Sequence, residues 1–90
     1  MPNHVAGKEK RRWQRHLLSA PIRLLTSDAH IDARGLTVSE GGMCLFAVAN
    51  LGIGSQVEVE FIHPHSRQLV RAHAAVRNRA AYLYGIEFLA

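Results

Sequence analysis

In two stretches of the chain, apolar side chains fall at every second position. Val57, Val59 and Phe61 alternate with Glu58 and Glu60, while Val70, Ala72, Ala74 and Val76 alternate with Arg71, His73 and Arg77. A β-strand points successive side chains to opposite faces, so each apolar set gathers on one side. A helix over 68–77 would scatter those four residues around its circumference, and strand is the reading that collects them. Together with segments near 21–26, 30–38, 42–48 and 81–89, all short and rich in Val, Ile, Leu, Phe and Tyr, the stretches 55–62 and 68–77 make six predicted strands. Turn chemistry lies between them: Thr26-Ser27-Asp28, Ser39-Glu40-Gly41-Gly42, Asn50-Leu51-Gly52-Ile53-Gly54, Pro64-His65-Ser66 and Asn78-Arg79. Six strands at this spacing predict an all-β domain, a six-stranded antiparallel β-barrel over residues 17–90.

The alternation also predicts a register. Setting Phe61 opposite Val70 and Val59 opposite Ala72 leaves a loop from Pro64 to Arg67. It places Glu60 opposite Arg71 and Glu58 opposite His73 on the outer face, so burial and charge select one pairing. Carried across Asn78–Ala80, the same logic sets Val76 opposite Tyr82, Ala72 opposite Ile86 and Arg71 opposite Glu87. Arg71 would then be a structural cation between two carboxylates.

Charge changes the picture once it is located. The chain of 90 residues carries a formal net charge of +4. Lys8, Lys10, Arg11, Arg12 and Arg15 against Glu9 place that whole excess within residues 8–16. The other six arginines balance six carboxylates, so the body is formally neutral. Residues 1–16 lack an apolar period and are read as a flexible basic arm, a local anion site or solvated tail. They also lack the apolar core of a secretory signal, and no run reaches the roughly 18 apolar residues of a membrane span. The single cysteine, Cys44, cannot form an internal disulfide, which fits a reducing cytoplasm; its place in an apolar strand predicts a core residue.

Two motifs can carry chemistry. Arg11-Arg12-Trp13-Gln14-Arg15 contains an R-x-x-x-R spacing. Guanidinium groups grip phosphate through paired charge-assisted hydrogen bonds and stack their flat faces on bases. Trp13 can stack on a base or tuck against the barrel, and the sequence does not choose. The second motif is Thr37-Val38-Ser39-Glu40-Gly41-Gly42, at the join of the second and third strands. Thr37 and Ser39 share a strand face, and the double glycine permits positive φ and close approach of a ligand. Each motif alone is unspecific; a tail and a hairpin turn would account for them.

An arm with R-x-x-x-R, then about 20 residues, then x-x-Ser-x-x-Gly in a strand turn followed by four strands resembles the PilZ domain family. The resemblance runs from Lys10 to Leu89 and includes Gly35, Leu51-Gly52-Ile53-Gly54 and Tyr84-Gly85-Ile86-Glu87-Phe88. That family is the bacterial receptor for cyclic di-GMP. The resemblance implies that Arg11 and Arg15 hold the phosphates and guanine faces of the dinucleotide. It implies that Ser39 and Gly42 meet a guanine edge, with Lys10 and Arg12 assisting. Thr37 stands where the family has Asp or Asn. A carboxylate accepts from guanine's ring N–H and amino group together, whereas a threonine hydroxyl offers no charge; the difference costs about 1–3 kcal/mol. Family members commonly continue into a C-terminal helix, whereas this chain stops at Ala90, so little or no such helix is expected.

The expected function is therefore binding of cyclic di-GMP, with no other cofactor, and relay to a partner protein by ordering of the arm. The alternative is a degenerate adaptor that binds a partner without nucleotide. A nucleic-acid binder would show a basic body or a face of exposed aromatics, and an enzyme a nucleophile motif; neither is present. His63 and His65 flank Pro64, but no partner ligand follows at metal spacing, so the pair is read as a plain loop.

Overall fold

The computed structural model describes residues 14–89. Lys10, Arg11, Arg12 and Trp13 lie outside them. The described residues contain six strands and no helix: β1 (His16–Leu25), β2 (His30–Val38), β3 (Gly42–Phe46), β4 (Gln56–Ile62), β5 (Leu69–Ala80) and β6 (Leu83–Phe88). All pair antiparallel in the order β1-β2-β3-β6-β5-β4, and β1 closes on β4 through Arg23–Glu60, Leu24–Val59 and Leu25–Glu58. Closure gives every strand two neighbours, although the β1–β4 seam is only three residue pairs long, and this limits the exposed edge of an open sheet.

Alternate side chains fill the barrel. Leu24, Leu45, Val59, Val76 and Tyr84 are the largest fully buried ones. Burying each aliphatic member of this set contributes roughly 1.5–3 kcal/mol. The β4–β5 register is the expected one, with Phe61 opposite Val70, Val59 opposite Ala72, Glu60 opposite Arg71 and Glu58 opposite His73. Glu60 pairs with Arg71 and also lies 3.9 Å from Arg23, across the closing seam.

Three expectations are corrected. β1 begins at His16, five residues before the expected 21. Pro21 read as a strand start, yet it lies where β1 pairs with β2, ahead of the ladder to β4 that begins at Arg23. β6 is displaced by four residues along β5: Val76 faces Ile86, and Ala80 faces Leu83 across a two-residue turn. The chain turns at Ala81, where φ is 56°, a conformation that disfavours alanine and that its sequence does not advertise. Arg79 supports this turn, donating from Nε to the Ala81 carbonyl at 2.6 Å and lying over the Tyr82 and Tyr84 rings. Glu87 consequently pairs with Arg77 at 2.6 Å, not with Arg71. Finally, Cys44 is half-buried and faces outward, because Met43 and Leu45 take the core positions of β3.

Candidate functional site

A trough of about 330 Å³ opens on the outer face of β2, β3, β6 and β5. Its floor is made of small residues, Gly42, Cys44 and Gly85, in adjacent strands. Arg15, Thr37 and Ser39 line one side, and Arg77, Asn78 and Glu87 the other. The register explains the first group. His16 pairs with Val38, so Arg15, one residue earlier, arrives beside Ser39. A bulge between Gly35 and Thr37 resets the alternation of β2, turning Thr37 outward while Gly35 and Val38 both stay buried. Two sequence segments separated by more than 20 residues thus meet on one surface.

The glycine turn works differently from expectation. Neither Gly41 nor Gly42 takes positive φ. Gly42 is needed for space, since a Cβ there would collide with the backbone carbonyl of Ile86 on β6. Ser39 shapes the turn: its amide donates to the Gly42 carbonyl at 2.8 Å, and its hydroxyl accepts from the Gly41 amide at 3.2 Å. The hydroxyl is therefore fixed in orientation at the mouth of the trough.

The trough is electrostatically uneven. Arg77 and Glu87 neutralise each other, and Arg34 is bound to the Ser19 carbonyl at 2.9 Å, away from this face. Arg15 has no carboxylate partner among the described residues and leaves its side of the trough positive. The histidine loop lies elsewhere. His63 accepts at Nδ1 from the amides of His65 and Ser66, and the His65 ring meets that of His16 at 3.1 Å. Among the described residues, no group of three side chains is placed to hold a metal ion, and no helix is long and apolar enough to cross a membrane.

Of the residues singled out in the sequence, Arg15, Thr37, Ser39 and Gly42 share this trough. Lys10, Arg11 and Arg12 lie outside the described residues. The sequence reading missed Asn78, taken there for a turn residue, and it placed Arg77 and Glu87 only in strand pairings. Without the correct β5–β6 register nothing in the sequence brings them to Thr37.

The sequence model of the PilZ domain matches residues 9–90. The chain belongs to the PilZ domain family. PilZ domains are in general receptors for cyclic di-GMP, binding domains and not known catalysts. No curated protein matches the chain. Among solved structures it is similar to the crystal structure of the PilZ domain of CeSA from a cellulose-synthesizing bacterium. That likeness has a TM-score of 0.68 at 11% identity, and covers 86% of this chain and 81% of the other. At that identity it speaks for the fold, the closed six-stranded barrel.

Proposed function

We propose that this PilZ domain binds cyclic di-GMP in the trough and relays its presence to a partner protein through the basic N-terminal segment. The observation that carries the reading is the convergence of Arg15 with Thr37, Ser39 and Gly42 on one surface. Arg15, free of carboxylate partners among the described residues, grips a phosphate and stacks on guanine, with Arg11 as its second arm and Lys10 and Arg12 adding positive charge. Ser39, held by its own turn, meets a base edge, and Gly42 lets β3 lie close against β6, forming the floor on which the ligand rests. Ordering of residues 1–16 around the ligand creates or hides the surface that a partner reads.

Calorimetric titration of cyclic di-GMP into the wild type and Arg15→Ala tests this. Removing a charge-assisted phosphate contact is expected to weaken binding about tenfold to a hundredfold. Equal affinities would remove Arg15 from the site. Thr37, in place of a carboxylate, favours a second reading, an adaptor that works without nucleotide. No heat, no protection of arm amides and no change in melting temperature at saturating ligand would favour that alternative.

A further inference from the structure

Thr37, Cys44, Gly85 and Asn78 form a single row across four neighbouring strands, Thr37 opposite Cys44, Cys44 opposite Gly85 and Gly85 opposite Asn78. With strands about 4.8 Å apart, Gly85 lies roughly 10 Å across the floor from Thr37. Asn78 reaches this floor because β5 carries a bulge between Val76 and Asn78, which lets Arg77 and Asn78 both face outward. The bulge is held from behind: the Val76 amide donates to the Ser55 carbonyl at 2.9 Å, and the Gly54 amide donates to the Val76 carbonyl at 2.7 Å. Gly85 completes the arrangement. A Cβ there would come 2.5 Å from Oδ1 of Asn78 and 3.0 Å from its Nδ2, so the amide lies in the space that glycine leaves open. This amide makes no side-chain hydrogen bond among the described residues, whereas the neighbouring Arg77 and Glu87 hold each other.

From this placement, and resting on the cyclic dinucleotide reading above, we infer that Asn78 is a base-reading residue of this domain beside Ser39 and that it admits both purines. Thr37 supplies no carboxylate, so the edge of the base must find its paired partners elsewhere in the row. A carboxylate only accepts hydrogen bonds and matches the adjacent N–H groups of guanine. An amide carries one acceptor and one donor group side by side. On guanine, Oδ1 accepts from N1–H while Nδ2 donates to O6. On adenine the order is reversed, and the amide matches it by turning over about its last bond: Oδ1 accepts from the amino group and Nδ2 donates to N1. The ligand class is therefore a cyclic purine dinucleotide, with weak preference between guanine and adenine.

The test is a calorimetric titration of the full chain with cyclic di-GMP and, separately, with cyclic di-AMP. The wild type is expected to bind the two within about tenfold of each other. Asn78→Asp keeps size but removes the donor; it should retain the guanine ligand and weaken the adenine ligand about tenfold to a hundredfold, as expected for a lost bidentate base contact. Asn78→Ala should weaken both. Gly85→Ala, which displaces the amide without altering it, should also weaken both, with melting temperatures confirming that each variant folds. Exclusion of cyclic di-AMP by the wild type, or a guanine-to-adenine ratio unmoved by Asn78→Asp, would overturn the inference and leave cyclic di-GMP binding standing. Failure of the wild type to bind either ligand would instead overturn the function on which it rests.

Discussion

Tyr84 shows how one side chain can hold a loop to the barrel. It is 1% exposed, its hydroxyl donates to the Ala49 carbonyl, and it accepts from the Leu51 amide at 3.0 Å. Leu51 is itself buried, so removing the hydroxyl leaves a buried N–H with no partner. Tyr84→Phe is expected to lose about 1–3 kcal/mol, read from urea denaturation. The apolar pattern of 81–89 is visible in the sequence, yet the hydroxyl's partners lie more than 30 residues away and no local signal names them. Thr37 is the opposite case. Its departure from the family pattern is plain in the sequence, but what compensates for it depends on which residue stands three strands away.

Among the strands, β3 and β6 bear the tightest steric demand. A side chain at Gly42 would strike the Ile86 carbonyl, and backbone cannot swing aside as a flexible side chain can. Gly42→Ala is expected to destabilise by about 1–3 kcal/mol, whereas Gly52→Ala, with open space at its Cβ, should stay within about 0.5 kcal/mol; thermal denaturation of the pair separates the two. The β4–β5 hairpin was legible because its two alternations and its charges agreed. The β5–β6 hairpin was not. Asn78-Arg79 carries turn residues and Ala81-Tyr82 does not, but the true turn at Ala81 is sustained by the Arg79 side chain stacked on two tyrosines. A contact between side chains on both strands outweighed local turn preference.

Taken whole, the molecule is a closed ring of strands in which each element relies on two neighbours. Leu24 and Val59 meet at the seam between β1 and β4, both fully buried. Leu24→Ala is expected to lose about 2–5 kcal/mol through the cavity it leaves. Against a typical total of about 5–15 kcal/mol that is a large share, and chemical denaturation followed by circular dichroism should show one cooperative transition moved to lower denaturant. Refolding of so non-local a topology is expected on the millisecond-to-second scale.

The chain's periodicity alone specified strands, their number and, in β4 and β5, the face turned to the core, because period-two alternation is a local property of the backbone. Its order of motifs specified the family, and its charge map placed the basic excess within residues 8–16. The trough was beyond that reach. It exists because a bulge in β2 turns Thr37 outward, a bulge in β5 does the same for Asn78, and a four-residue displacement of β6 brings Gly85 and Glu87 between them. Bulges and register are chosen by the sum of contacts across strands, and that sum is defined only once the barrel has closed.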